Sequence, residues 1–352
     1  MEIGTGAYKK GMWPLGREEI ETCDSYKYLG DVITRNGDNE KNIEEREARV
    51  SASTRRVKML AGSEVISLIE VSAMLKLHES ITIPMLLTNC ETWVLNAKDR
   101  NRLNRIEVKA FKELLGVPIT TPTAGVLMIT GTLLTCHRIH QRQLMYLQLL
   151  SKRNEEDWNH NMLLLLDANN AGWAKQIRKI MNEYELESSW EEVKSMSTAE
   201  WRRRVNKSIE EKNKRAMIDL CGGAKGEKTK TKKFLPRLQT GDYKRRQMTE
   251  ITSKQRRIAK ALTMGLCGML ECANNYAHKY GTKMCEQCNQ IDDESHRINY
   301  CIKWRRINLY ESSLKIDFSK ILSQESETLD RLGHVIERIW DLENGKNAMR
   351  NS

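Results

Sequence analysis

Apolar residues recur along most of this chain at helical spacing. Ile43, Val50, Val57 and Leu60 predict a helix from Asn39 to Leu60, with Gly62 at its end. Ser63 is placed to cap a second helix carrying Ile66, Ile69 and Leu75, which Pro84 breaks or kinks. Leu103, Ile106, Ala110 and Leu114 share one stripe of a helix from Lys98 to Leu115. After the loop Thr120 to Thr123, one helix is expected to run to Lys152, and residues 153–170 read as a linker with a buried Leu run. Trp173, Ile177, Ile180 and Tyr184 define another helix; Trp201, Val205 and Ile209 define the next, opened by the capping-box pattern Ser197-x-x-Glu200. Both tryptophans are assigned to the core. Further helices are expected from Thr252 to Leu270 and through Leu329, Leu332, Ile336 and Ile339. Only the start departs from this period: Tyr26 to Gly30 and Val32 to Thr34 are rich in strand formers, and Asn36-Gly37 reads as a hairpin-like turn. The fold class expected is mostly α with a short N-terminal β-hairpin.

Charge changes the picture in one place. Between Lys225 and Lys260 stand thirteen Lys or Arg against three acidic residues, a net +10 of the chain's +11. Elsewhere the charges nearly cancel. Such a window points to an acidic partner, nucleic acid above all. Within it, Gly222 to Lys233 is polar, Gly- and Lys-rich and aperiodic, a mobile linker by composition. A second basic stripe, Arg102, Arg105, Lys109 and Lys112, lies on the Lys98–Leu115 helix; Glu107 and Glu113 offer it partners, so a solvated face competes with a binding face. The apolar runs are too short for a membrane span, and no signal peptide is evident. Six of the nine cysteines (Cys23, Cys90, Cys136, Cys221, Cys267, Cys272) scatter without a disulfide framework, as in a reducing, intracellular compartment.

The remaining three, with one histidine, carry the clearest chemistry. Cys285, Cys288, His296 and Cys301 form a C-x2-C-x7-H-x4-C array, a complete tetrahedral ligand set for structural zinc. A closed four-ligand site leaves no position for water or substrate, so its expected role is to build a small fold. Other constellations carry less. Gly222 to Lys228 imitates a phosphate loop but lacks the Gly-Lys adjacency. Cys136, His137 and His140 read as structural, for want of a third ligand, and Asp292-Asp293 reads as a solvated turn. No catalytic residue is assigned.

Tyr26-Lys-Tyr28-Leu29-Gly30, Ile43 to Arg46, Cys90-Glu-Thr-Trp93 and Leu103 to Gly116 resemble the region just past the catalytic palm in reverse transcriptases of non-LTR (LINE-type) retrotransposons. The first element resembles the primer-grip strand of that family and the following helices its thumb. The array from Cys285 to Cys301 resembles the family's C-terminal CCHC zinc module. One departure is Thr88-Asn89, where the family commonly has Tyr-Gly, a change expected to alter a tight backbone contact. Another is larger: the family's Tyr/Phe-x-Asp-Asp, which holds the Mg²⁺ pair of the complete polymerase, is nowhere in this sequence.

The resemblance, which covers roughly residues 20–150 and 250–310, implies a palm remnant with a primer-grip-like element at 1–37 and a thumb-like helical domain at 38–152; periodicity alone gives a helical linker region at 153–222. A basic segment at 223–260, the zinc module at 261–310 and C-terminal helices at 311–352 complete the expected organisation. The function it implies is to hold RNA template and DNA primer as the C-terminal portion of an RNA-directed DNA polymerase, inactive on its own. Expected phosphate contacts are Arg102, Arg105, Lys109, Lys112, Lys228, Lys230, Lys232, Lys233, Arg237, Lys244, Arg245, Arg246, Lys303, Arg305 and Arg306. Partners would be RNA, DNA and the palm or endonuclease parts of the same element, with no membrane, in a nucleus and a cytoplasmic ribonucleoprotein. Two alternatives stand beside it: a free-standing element-derived nucleic-acid-binding protein, and a zinc-stabilised helical protein-interaction module whose basic window is a nuclear address.

Overall fold

The structure, a computed structural model, describes residues 12–60, 70–186, 188–222, 256–268, 270, 272–274, 277–304 and 331–342. It is mostly helical, and among the described residues the paired strands lie near the start. The chain divides into two units, the first Met1–Ser53, Ser80–Glu107 and Leu134–Lys212, the second Thr54–Glu79, Val108–Leu133 and Asn213–Ser352. Among the described residues no helix is long and apolar enough to cross a membrane.

In the first unit, β1 (Met12–Leu15) pairs with β2 (Glu18–Glu21), and β3 (Ser25–Tyr28) with β4 (Asp31–Thr34), Tyr28 opposite Asp31. The β3–β4 turn is Leu29-Gly30, not Asn36-Gly37. Both turn residues have positive φ, +46° and +94°, the requirement of the two-residue turns that match strand twist. Leucine tolerates that conformation poorly, which is why composition pointed to the wrong turn. Asn36-Gly37 instead bends the chain after β4, with the Gly37 N–H on the Thr34 carbonyl, and leads into α1 (Glu40–Leu60).

Pro84 marks a boundary as expected. α2 (Val71–Leu77) passes into a π-helical turn, His78–Thr82, before α3 (Ile83–Leu87), where Pro84 falls in the first turn and its missing N–H costs nothing. The proposed cap Ser63 lies outside the described residues. α4 (Ala97–Leu115) buries Leu103, Ile106, Ala110 and Leu114, the expected stripe.

The single helix expected to reach Lys152 is two: α5 (Thr123–Thr130) and α6 (Thr135–Ser151). Gly131 divides them in the left-handed conformation that ends helices. The segment 153–170, expected as a linker, contains α7 (Trp158–Ala168). Asp157 caps it by accepting from the Asn159 and His160 amides, and of its Leu run only Leu163 is fully buried. α8 (Gly172–Glu183) follows. α9 (Trp190–Ser195) opens with a full capping box, Ser189 to Glu192. α10 (Thr198–Gly222) has the expected Ser197 cap, which accepts from the Glu200 amide at 3.1 Å. Trp201 is fully buried on α10, donating to the Leu144 carbonyl, while Trp173 is half-buried.

In the second unit the C-terminus of α4 forms a helix-ending motif, Gly116 N–H to the Glu113 carbonyl and Val117 N–H to the Lys112 carbonyl, with Gly116 at φ +71°. α11 (Arg256–Leu266) completes it: the Arg256 guanidinium donates to the carbonyls of Leu114 and Glu113, where a cation also suits the helix dipole. A Cβ on Gly116 would lie 2.5 Å from that guanidinium. Gly116→Ala is therefore expected to destabilise the unit by about 2–4 kcal/mol through left-handed strain plus two displaced hydrogen bonds. Chemical denaturation of the variant beside Arg256→Gln reads the effect, and an unchanged midpoint would refute it. Leu332, Ile336 and Ile339, on a helical segment at 331–342, are buried as their spacing predicts; Leu329 lies outside the described residues.

Candidate metal centre and basic surfaces

The cysteine–histidine array folds as one small element. Met284 and Ile291 face each other across an antiparallel bridge. Between them, the Cys285 N–H binds the Gln290 carbonyl and the Asn289 N–H the Cys285 carbonyl, with Asn289 at φ +52°. That knuckle presents Cys285 and Cys288 together. Asp293 then caps the short α12 (Glu294–Asn299), accepting from the His296 amide at 2.8 Å, which fixes the histidine on the first turn. The Cys301 N–H bonds back to the His296 carbonyl at 2.8 Å.

All four donor atoms fall within 4.8 Å of one another. The Cys285–Cys301 and Cys288–Cys301 sulfur separations are 3.8 and 3.9 Å. A tetrahedron with metal–sulfur bonds of about 2.3 Å has sulfur–sulfur edges of about 3.8 Å, so the spacing fits a metal ion held between them. His296 is buried, and among the described residues neither ring nitrogen has a hydrogen-bond partner. A coordinate bond would satisfy one of them.

Sulfur electrostatics agree with this. Burial and the neighbouring thiols hold Cys301 up at about 12, while amide N–H groups of Gln287 and Cys288 overcome burial to bring Cys285 below its ordinary value. Sulfurs this close become thiolates together only around a cation. The residues therefore suit a metal, and their donor set is closed, with four protein ligands and no position for substrate.

Asp292 corrects the reading of Asp292-Asp293 as a solvated turn. Its carboxylate is buried, paired with Arg297 through two bonds of 2.7 Å, and accepts from the Ala273 N–H. Burial works against its charge, but the bonds from Arg297 and the Ala273 N–H outweigh it and hold the carboxyl below its ordinary value. Asp292 thus ties the segment before the knuckle to α12, and Asp293 is spent as the helix cap.

The segments near the hairpin also converge. Arg46 of α1 is fully buried. It donates to Asp31 and to the carbonyls of Met85 and Leu86, and its guanidinium lies 4.6 Å from the Trp93 ring centroid. Asn89 occupies the left-handed region at φ +59°, which asparagine tolerates, and its amide donates to the Leu29 carbonyl at 3.1 Å. Asn89 thus ties the turn before Cys90 to the hairpin tip. Three side chains, Trp173 and two glutamines that sequence reasoning did not name, clamp the Cys90–Leu95 segment. Gln143 donates to the Cys90 and Trp93 carbonyls, Trp173 donates to the Glu91 carbonyl, and Gln176 bonds both Trp93 and Leu95. Nothing in the sequence marks a glutamine as such a clamp.

The proposed basic stripe on α4 is not uniformly available. Arg102 is half-buried and paired with Glu47 at 3.3 Å and Glu44 at 3.9 Å. Lys112 is buried, donates to the Ile119 carbonyl at 2.8 Å, and is shifted down by burial. Arg105 and Lys109 are exposed. Lys303 is exposed beside the Trp304 ring. Lys228, Lys230, Lys232, Lys233, Arg237, Lys244, Arg245, Arg246, Arg305 and Arg306 lie outside the described residues. Arg256, counted with the basic window, is occupied in capping α4. A cleft of about 520 Å³ that sequence reasoning passed over lies in the first unit, lined by Tyr146, Lys152, Arg202 and an Arg142 paired with Glu91 at 3.6 Å. Its only signal was the run Arg202-Arg-Arg204 on the exposed side of α10.

No protein family, curated protein or solved structure matches this chain.

Proposed function

We propose that the chain is the nucleic-acid-holding C-terminal portion of an RNA-directed DNA polymerase of the non-LTR retrotransposon type, stabilised by a structural Zn²⁺ on Cys285, Cys288, His296 and Cys301. One observation supports this above the others. Three of the four segments that carry the resemblance, Tyr26–Gly30, Ile43–Arg46 and Cys90–Trp93, are dispersed in sequence yet adjacent in the fold: Arg46 stacks over Trp93 and bonds Asp31, next to Gly30, and Asn89, next to Cys90, donates to the Leu29 carbonyl. A chance resemblance in unrelated segments has no reason to meet in space. Zinc suits three thiolates and one imidazole in tetrahedral array, and bound there it supplies rigidity and no Lewis-acid site. The part is catalytically silent in this reading, because the Tyr/Phe-x-Asp-Asp that would hold the Mg²⁺ pair is nowhere in the sequence.

Affinity in this reading comes from phosphate neutralisation. Binding of single-stranded RNA or DNA should therefore weaken steeply with salt, with a log-log slope of roughly −4 for about six neutralised phosphates. Replacing Lys228, Lys230, Lys232 and Lys233 by Gln should flatten the slope by up to about 3, and Arg142, Lys152 and Arg202 together by up to about 2. Fluorescence anisotropy across a salt series measures this. A slope near zero in the parent protein would refute the reading. Primer extension on an RNA template with Mg²⁺ and nucleotides should give no product.

A further inference from the structure

We propose that the cleft between α6 and the start of α10 holds one unpaired nucleotide of a single strand, the base against Tyr146 and the phosphate between Lys152 and Arg202. The proposal rests on the nucleic-acid reading above and adds to it a site for a base, which phosphate neutralisation does not supply.

The cleft belongs to the first unit. Its volume of about 520 Å³ lies within the about 300–1,000 Å³ of small-ligand sites, and contacts between the surrounding elements fix its walls. Gln148 of α6 donates to the Val193 and Met196 carbonyls, the Trp201 indole of α10 donates to the Leu144 carbonyl, and the Gln141 amide bonds Asn206 at 2.6 Å. α6 and α10 are thereby locked together along the cleft. Glu91 lines it too, its carbonyl held by the Trp173 indole.

The apolar lining comes from Met145, Tyr146 and Leu149 of α6. Leu149 is 54% exposed and the other two are half-buried, so this lining is open to a ligand. The Tyr146 ring packs at 77° to that of Trp173, 5.8 Å between centroids, which fixes its orientation. A fixed aromatic ring in an open cleft is a platform for any base, because every base has a π-face.

Charge completes the choice of ligand. Arg142, Lys152 and Arg202 line the cleft against one carboxylate, Glu91, which Arg142 pairs at 3.6 Å, so two positive charges are left. Lys152 spends one of its three donors on the Met196 carbonyl at 2.7 Å, which anchors it beside the start of α10. Arg202 is exposed and forms no ion pair among the described residues. A ligand that suits this lining carries an anion directly beside a flat, largely apolar body. An unpaired nucleotide has that form. A duplex offers the cations its phosphates but keeps its bases in the stack, out of reach of Tyr146.

The test uses the full, metal-loaded chain and three short probes of one length: a single-stranded RNA, its duplex, and a single strand without bases. In fluorescence anisotropy the base-bearing single strand should bind about tenfold more tightly than the abasic one, as one stacked base provides. Tyr146→Leu should abolish that preference and Tyr146→Phe should keep it. Lys152→Gln with Arg202→Gln should instead weaken both strands and flatten the log-log salt slope by about 1.4. A thiouridine in the single strand should crosslink to the segment Met145–Leu149, and the same strand in a duplex should not. The crosslink is read in the parent chain, so it stands whether or not a variant folds. A parent that binds base-bearing and abasic strands alike, or a Tyr146→Leu variant that keeps the preference, overturns this site while the salt-dependent reading survives. A parent that binds no strand removes both. An acidic peptide that suppresses the crosslink where unlabelled strand does not assigns the cleft to a protein partner, and that too overturns the proposal.

Discussion

Stripping the metal from the Cys285–Cys301 element should unfold that element and leave the first unit folded. One equivalent of Zn²⁺ is expected in the purified chain, falling to near zero in Cys288→Ser or after strong chelation. The expected loss is large because the element has little else to hold it. Ile298 and Trp304 are buried, but Met284, Ile291, Tyr300 and Ile302 are exposed, so apolar burial alone is a weak support. Structural zinc in small modules contributes apparent binding energies of about 10–16 kcal/mol at neutral pH, and that energy is folding energy. Amide exchange read along the chain, with metal content measured in parallel, makes the test. Protection between Cys272 and Trp304 should collapse while protection in α6 and α8 persists. Unchanged protection in a metal-free sample would show that the Asp292–Arg297 pair and the Trp304 contact suffice without an ion.

Legibility in the sequence follows from which physical constraint acted at each place. Helices α1, α4, α8 and α10 were readable because each buries a stripe at helical spacing, such as Leu103, Ile106, Ala110 and Leu114. α7 was missed because its apolar residues surround the helix, one face buried and one exposed, and a run without a polar face looks like no helix in particular. The break at Gly131 was missed since a lone Gly within apolar flanks is read as tolerated until its positive φ is seen. The ligand set was wholly legible, because coordination chemistry imposes residue type and spacing together. The basic residues were legible only as charges. Sequence cannot distinguish Lys112 and Arg256, each committed to main-chain carbonyls, from the exposed Arg105.

Arg46 shows the same limit from the other side. It was noted only as the end of a resembling segment, yet it is the fully buried cation that joins Asp31, two α3 carbonyls and the Trp93 ring. Its two terminal nitrogens are met by fixed acceptors while its Nε is buried without a hydrogen bond among the described residues, and removing one partner of such a set leaves an uncompensated charge. The hairpin tip, α1, the end of α3 and the Cys90–Trp93 segment are consequently one construction, which the separate periodicities could not reveal.

Acid should destabilise the first unit well before ordinary carboxylates titrate. The Tyr184 hydroxyl stands between His137 Nδ1 at 2.6 Å and His140 Nδ1 at 2.9 Å. It has one proton, so it donates to one imidazole and accepts from the other, and the two rings are neutral with opposite tautomers. Charged neighbours make protonation worse: Lys212 acts on His137, and Arg100 on His140, while Cys136 and Glu183 bear on the tyrosine. Burial, first among the causes, pushes His137 down to about 4 and His140 to about 3. Above the unfolded value of about 6.5 both states hold neutral rings, and this source of pH dependence vanishes. As pH falls below it, the unfolded chain binds two protons that the folded chain refuses, so stability drops by about 1.4 kcal/mol per pH unit for each histidine. Between pH 6.5 and 4.5 the pair should remove about 5 kcal/mol, a large share of the 5–15 kcal/mol typical of a domain. The measurement is the denaturation midpoint of α6–α8 signals at several pH values, in the metal-loaded parent and in the double variant His137→Gln, His140→Gln. The variant, able to hydrogen-bond Tyr184 but not to titrate, should lose most of that slope. An identical pH slope in the two proteins would mean that these rings accept protons inside the fold, and that the buried cluster is less closed than its geometry indicates.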